Sequence, residues 1–158
     1  MDFENIKLDF YEGFEGEDEI RLYANSKDVS FKLNRKTNSY EGFSEIQLKQ
    51  NENGIVFFSI WDGYFSQIIS ELLSNIENDV LPQFIVNYNI VEGWFWDNGP
   101  ELIVKEEMNW FIEKIESTIL NKDDNFKNKF WDIESIKNLH SYLQLVRKND
   151  LELRISKE

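Results

Sequence analysis

Apolar and polar residues alternate through much of the N-terminal third of the chain. The alternating segments are residues 6–10, 20–22, 29–33 and 46–48. A period of two with one apolar side is typical of antiparallel strands that bury one face of a sheet. Residues 55–60 are apolar almost throughout and follow a loop that ends at Gly54. We therefore predict a hairpin whose second strand is buried on both faces.

The apolar period lengthens after these strands and predicts about three helices. They begin at Asp62, at about Lys105 and at about Asp132, and apolar residues follow each start at helical spacing. Asp62 fits an N-cap, because a short carboxylate can accept hydrogen bonds from the first helical turn. Residues 121–128 form a charged linker in this interpretation. Alternation resumes over residues 151–155, where we predict a closing strand.

Residues 82–91 fit either period. The strand pattern has its apolar residues at Phe84, Val86, Tyr88 and Ile90. The helix pattern has them at Leu81, Phe84, Ile85, Tyr88 and Val91. The β-branched residues and the two asparagines favour a strand, because both disfavour a helix interior.

Together these elements predict an α+β fold in a single acidic domain that spans residues 1–158. The antiparallel sheet would contain about five or six strands built mainly from residues 3–60. The helices would pack mostly on one face, since the first strands have one apolar face and one polar face. The C-terminal strand would join the sheet.

The tetrapeptide Tyr-Glu-Gly-Phe occurs twice, at residues 11–14 and 40–43, and both copies lie between alternating segments. Gly13 and Gly42 supply the backbone freedom that a tight turn or a bulge requires. A solenoid needs at least three repeats of fixed period. We therefore interpret the repeat as a turn that joins two strands and occurs twice, rather than as a ligand-binding element.

The charge balance bears on the partners of the chain. With 30 acidic and 17 basic side chains, its formal net charge is -13. Nucleic acid and anionic membranes are therefore disfavoured partners, because both bind clustered lysine and arginine. A basic protein partner is compatible with the charge, as is simple solubility. The chain has no cysteine, no long apolar run and no apolar N-terminal signal, so the expected location is the cytoplasm.

Catalytic motifs are missing from the sequence. His140 is the only histidine, no G-x-S-x-G surrounds a serine, and neither a P-loop nor a G-x-G-x-x-G is present. Metal sites with two imidazoles or with thiolates are impossible. We predict no catalytic, cofactor or metal residues, and no catalysis by His140.

Two groups of residues are candidates for binding a protein. The densest acidic run consists of Glu12, Glu15, Glu17, Asp18 and Glu19, and it is either a steering surface or a solvated loop. The aromatic candidates and their acidic neighbour are Trp94, Trp96, Asp97 and Trp110. Exposed tryptophan beside carboxylates is typical of a binding hot spot, but the interpretation that these rings fill the core of a small domain is favoured over it.

Residues 92–100 read Glu-Gly-Trp-Phe-Trp-Asp-Asn-Gly-Pro and lead into the helix predicted near Glu106 to Ile119. In an acidic, cysteine-free chain, this stretch resembles the immunity proteins of bacterial polymorphic toxin and contact-dependent inhibition systems. The resemblance implies a cytoplasmic, non-enzymatic protein that binds and neutralises a cognate toxin domain. Many such toxins are nucleases with basic clefts, where an acidic inhibitor would take the place of phosphate.

Two other functions fit the same sequence. One is an enzyme that uses paired carboxylates on a carbohydrate, with aromatic rings as sugar platforms, because such carboxylates leave no sequence signature. The other is a structural or adaptor subunit without a small ligand.

Overall fold

A computed structural model of the chain describes residues 2–25, 35–38, 43–46, 55–74, 76, 80–90 and 100–157. The strands are β1 (Asp9–Phe10), β2 (Glu19–Asn25), β3 (Arg35–Asn38), β4 (Phe43–Ile46), β5 (Ile55–Trp61), β6 (Glu101–Ile103) and β7 (Glu152–Lys157). The α-helices are α1 (Asp62–Ser74), α2 (Gln83–Ile90), α3 (Lys105–Ile115), α4 (Asp124–Lys127) and α5 (Ile133–Lys148). A 3-10 turn, Asp2–Asn5, precedes β1, and a π-helical turn, Glu116–Leu120, continues α3.

Five strands form the main sheet in the order β1-β5-β2-β7-β6. β1 pairs with β5 in parallel, and the other three pairs are antiparallel. β3 and β4 form a separate antiparallel ladder. The sheet is therefore mixed, with three of its five strands from residues 9–61 and two from residues 101–157.

The α+β class, the helices on one face and the C-terminal strand are confirmed, whereas some strand pairings differ from the prediction. β5 pairs with β1 and β2 instead of forming a hairpin with β4. It is not buried on both faces, because Phe57, Ser59 and Trp61 are only half-buried. The first predicted strand is reduced to Asp9–Phe10. The prediction for residues 29–33 lies outside the described residues.

The core lies between the sheet and three helices. α1, α3 and α5 each bury one apolar stripe against the sheet face that carries Leu22, Phe58 and Ile155. Tyr142 of α5 is fully buried, and its hydroxyl donates to the carbonyl oxygen of Val56 at 2.7 Å. This hydrogen bond links α5 to β5. It also gives the buried hydroxyl a partner, without which its burial would be costly.

Residues 83–90 form helix α2, so the strand predicted there is wrong. Phe84 and Ile85 are both fully buried, which a strand with one covered face does not allow for adjacent residues. The helix starts with the Ile85 amide donating to the Pro82 carbonyl at 3.0 Å. Its Gln83 amide donates to the Glu107 carboxylate at 3.1 Å. Packing and capping therefore override the β-branched composition.

The predicted helix starts agree closely with the structure. α1 begins at Asp62 and α3 at Lys105. Asp132 caps α5 by accepting from the Ser135 amide at 3.2 Å. Residues 121–128 were predicted to be a charged linker, but Asp124–Lys127 form the short helix α4. Asp123 caps this helix, because its carboxylate accepts a hydrogen bond from the Phe126 amide at 2.8 Å.

Candidate protein-binding surface

The sheet order places several chain segments at one end of the molecule. β1, β5 and β7 run in the same direction, and the register aligns Phe10 with Ile60, Ile60 with Ile20, and Ile20 with Lys157. β1 and β2 lie on opposite sides of β5. Residues 11–18, which join them, must therefore cross the end of β5 at Trp61.

Two consecutive tight turns shape this crossing. The Phe14 amide donates to the Tyr11 carbonyl, and the Glu17 amide donates to the Phe14 carbonyl, both at 3.0 Å. Gly13 and Gly16 occupy the third positions of these turns with φ values of 96° and 93°. Positive φ at this position favours glycine strongly. The first Tyr-Glu-Gly-Phe copy is thus a turn, whereas residues 40–42 of the second copy lie outside the described residues.

Three aromatic rings from different segments stack at the end of β5. Phe14 lies 4.3 Å from Trp61, measured between ring centroids, with the planes 4° apart. Trp131 stacks on Trp61 at 5.8 Å and 19°. Tyr64 meets Phe14 and Trp61 edge-on. We call Phe14, Trp61, Tyr64 and Trp131 the aromatic stack.

Gly63 makes room for the middle ring of the aromatic stack. A Cβ atom at this position would overlap the six-membered part of the Trp61 indole. Trp61 has little freedom to move aside, because Phe14 and Trp131 both stack on it. The glycine therefore permits a close approach between the start of α1 and the indole.

Trp131 is the exposed member of the aromatic stack, with 68% of its surface accessible. Its amide donates to the Gln67 side chain at 3.0 Å, and the same side chain donates to the Lys129 carbonyl at 3.3 Å. The neighbouring Phe130 is buried. These contacts hold the backbone of Trp131 while leaving much of its indole in solvent.

The crossing also carries unneutralised acidic side chains. Glu12, Glu15 and Glu17 are exposed, and none of them forms an ion pair with another described residue. The pKa of Glu15 lies below its usual range, because the amides of Gly13 and of Glu15 itself donate to its carboxylate. We call Glu12, Glu15 and Glu17 the acidic turn.

The other two residues of the predicted acidic run have different surroundings. Glu19 is 6% exposed and pairs with Arg21 at 3.0 Å. Asp18 pairs with Lys157 at 3.4 Å. Both charges are therefore partly compensated, and Glu19 does not belong to an exposed surface.

A polar network lies beneath the acidic turn. Lys157 is 3.4 Å from Asp18 and 3.6 Å from Asp62, measured from Nζ to a carboxylate oxygen. Tyr88 of α2 donates to Asp62 at 2.7 Å and also hydrogen-bonds Ser66. Burial raises the pKa of the Tyr88 hydroxyl, so it stays a neutral donor. The network joins the sheet, α1 and α2 at the base of this surface.

Of the aromatic candidates predicted from the sequence, one packs against the core and the others lie outside the described residues. Trp94, Trp96 and Asp97 are outside the described residues. Trp110 packs half-buried against the core, with Lys114 Nζ 5.9 Å from its ring centroid. From the sequence alone, Phe14, Trp61 and Trp131 were not grouped as one site. The only local indication was that each is an aromatic residue at the boundary of an element: Phe14 in a turn, Trp61 at a strand end and Trp131 before the helix cap Asp132.

His140 has a defined partner away from the acidic turn. Its Nε2 lies 2.7 Å from a Glu116 carboxylate oxygen, which links α5 to the π-helical turn. Within the described residues, no three histidine, aspartate or glutamate side chains are placed to hold a metal ion. Among the helices in the described ranges, none combines the length and apolar character needed to cross a membrane.

Comparison with protein-family models, with curated proteins and with solved structures gives no match to this chain.

Proposed function

We propose that this protein is a cytoplasmic immunity protein, which binds a basic cognate toxin domain and blocks its activity. The observation that carries the proposal is the aromatic stack, with its exposed Trp131, at the end of the sheet that also carries the acidic turn. An apolar anchor next to unpaired charge of one sign is the arrangement expected for a charge-steered protein interface.

The acidic turn supplies the long-range part of binding. Its three carboxylates are unpaired within the described residues, and the whole chain carries a net charge of -13. A field of this sign attracts a basic domain before contact and raises the association rate. A toxin that acts on phosphate-bearing nucleic acid would present the positive cleft that this field complements.

The aromatic stack supplies the short-range part. Trp131 is stacked on one neighbouring ring, and hydrogen bonds hold its backbone, so little conformational freedom is lost when a partner covers it. Large rigid rings that become desolvated on binding are the residues whose truncation weakens interfaces most.

Co-expression tests this proposal. The toxin domain would be the C-terminal domain encoded by the reading frame directly upstream of the gene. We expect the chain to co-purify with that domain and to protect cells that express it. Phe14→Ala combined with Trp131→Ala should abolish protection, whereas Leu102→Ala, at an exposed apolar residue of β6 on the opposite sheet edge, should retain it. Absence of both complex and protection would overturn the proposal.

The exposed ring of Trp131 also favours a second candidate, which is binding of a carbohydrate. Sugar rings stack on flat aromatic faces, and carboxylates lie on the neighbouring acidic turn. Titration with a soluble oligosaccharide such as chitohexaose, followed by tryptophan fluorescence, separates the candidates. Saturable binding that Trp131→Ala removes would support this candidate, and an unchanged spectrum would exclude that sugar as a ligand.

A further inference from the structure

We propose that Trp131 is a recognition site for an arginine side chain, whose guanidinium stacks on the exposed indole in a region of negative charge. This inference rests on the proposed function, because it specifies the basic group that the partner presents. The partner would therefore be recognised through arginine rather than through positive charge alone.

The open ring is the first support. Trp61 stacks against Trp131, yet 68% of the surface of Trp131 remains accessible. Elsewhere, the chain places its own lysines over aromatic rings. These pairs are Lys7 over Phe10, Lys114 over Trp110, Lys129 over Phe126 and Phe130, and Lys157 over Tyr88. Within the described residues, no lysine or arginine lies over Trp131, so its face is available to a cation from outside.

The surrounding charge is the second support. Asp132 follows Trp131 directly, and its carboxylate adds to burial in raising the pKa of the Tyr64 hydroxyl, so its field reaches the aromatic stack. Glu134, on the first turn of α5, is exposed. The acidic turn lies beyond Phe14. A cation on Trp131 would therefore lie in a region of negative charge, with Asp132 as its neighbour in the chain.

Two lysines near Trp131 in the sequence do not compensate this field fully. Lys129 is directed to Glu71 at 2.7 Å and lies 3.9 Å from the Phe126 ring centroid. Lys137 pairs with Glu134 at 3.2 Å, but both side chains are at least half exposed, so water screens this pair. A partner's guanidinium could displace Lys137 at small cost.

Guanidinium fits this arrangement better than ammonium. It is planar, so it can lie flat on an indole, and its weaker hydration makes covering it less costly. Its fixed fork of N–H donors can also bind a carboxylate while the plane stays stacked. An ammonium ion offers the same charge without the flat face.

Matched peptides test the arginine preference. The probes are two octapeptides of equal charge, one alternating glycine with arginine and the other alternating glycine with lysine. Each is titrated into the full, ¹⁵N-labelled chain, and the tryptophan indole N–H signals are followed by NMR. We expect the arginine peptide to bind about threefold more tightly. The largest shift should occur at Trp131.

Two variants identify the ring responsible. Trp131→Leu should equalise the two peptides and leave only weak charge-driven binding. Gly63→Ala should reduce the preference without removing an aromatic residue, because the new Cβ would overlap the Trp61 indole and so disturb the ring on which Trp131 stacks. Leu102→Ala is the control and should keep the preference. Equal affinity of the wild-type chain for both peptides would overturn the inference, as would a preference that survives Trp131→Leu.

The co-expression assay reports on the proposed function independently. Protection from the toxin domain without an arginine preference overturns only the present inference. An arginine preference without protection overturns only the immunity function.

Discussion

Two groups of aromatic residues in this protein differ in what holds them and in what they can do. Phe58, Phe111 and Tyr142 are fully buried between the sheet and the helices. The aromatic stack of Phe14, Trp61, Tyr64 and Trp131 instead ends in solvent at a ring that is 68% exposed. The first group contributes mainly to stability, whereas the second leaves apolar surface exposed to solvent.

The difference shows how the two groups arise from the sequence. Phe111 and Tyr142 occupy the apolar stripes of α3 and α5, so helical periodicity brings them inward. Phe14, Trp61 and Trp131 lie at a turn, a strand end and a helix approach, so periodicity says nothing about them. Strand order brings Phe14 to Trp61, because the link from β1 to β2 crosses the end of β5. Hydrogen bonds between Gln67 of α1 and the backbone of residues 129 and 131 hold the segment of Trp131.

The largest effect should come from truncating the buried group. Tyr142→Ala removes a fully buried ring and its hydrogen bond to Val56, and should lower the free energy of unfolding by about 3–5 kcal/mol. Tyr142→Phe should lower it by about 1–2 kcal/mol, since it leaves the Val56 carbonyl without this donor. Urea denaturation measures both. A loss of under about 1 kcal/mol for Tyr142→Ala would contradict the assignment of this ring to the core.

Truncating the exposed group should separate binding from stability. Trp131→Ala should weaken binding to the toxin domain by about 2 kcal/mol or more. The same change should lower the free energy of unfolding by about 1 kcal/mol or less, because it removes one stacked ring pair at the surface. Calorimetric titration and urea denaturation on the same variant check both values. An unchanged affinity combined with a large loss of stability would show that Trp131 acts in stability rather than in binding, and would contradict the distinction between the two groups.

Alkaline pH should report on the buried tyrosine. Burial raises the pKa of Tyr142 above its value in the unfolded chain, which is about 10. The stabilisation that comes from keeping the Tyr142 hydroxyl neutral is therefore fully present below about pH 10. Above that pH, the free energy of unfolding falls by about 1.4 kcal/mol per pH unit until the folded pKa is reached. Tyr142→Phe should flatten this decline between pH 10 and 11, measured relative to its own stability at pH 8. An identical slope in both proteins would rule out Tyr142 as its source.

The smallest effect should come from the single histidine. His140→Gln replaces an imidazole that pairs with Glu116 and not with a residue of the aromatic stack or the acidic turn, so toxin protection should stay within a few-fold of wild type. The protection assay, combined with a check that the variant is folded, tests this. A well-folded variant that loses protection by orders of magnitude would establish a functional role for His140.

Periodicity predicted the elements whose burial is regular. Helices α1, α3 and α5 and strand β7 follow from apolar spacing, because each buries mainly one stripe or face. Strand β2 was also located by alternation, but it is buried on both faces, with only Arg21 half-buried. The α2 segment failed this test, since Phe84 and Ile85 are buried side by side through contacts that only the tertiary structure provides. β6 has three residues, which is too short for a recognisable period.

The candidate surface was only partly predictable for a similar reason. Glycines at positions 13 and 16 indicate an exposed turn, so the acidic turn could be inferred from sequence. Glu19 is buried in a strand that lies between β5 and β7, and its charge is compensated by Arg21 two residues along the same strand, a pairing that the sequence does suggest. The stacking of Trp131 on Trp61 joins residues far apart in the chain, and no local pattern encodes it.

The most direct test of the charge-steered interface is the salt dependence of the association rate with the toxin domain. Raising salt from 0.1 to 1 M shortens the Debye length from about 10 Å to about 3 Å, so association should slow about tenfold or more while dissociation changes less. Glu12→Gln with Glu17→Gln should slow association several-fold at low salt. The same change at Glu106 and Glu113, two exposed glutamates on α3, should have a smaller effect. A salt-independent association rate, or equal slowing by both pairs, would contradict steering by the acidic turn.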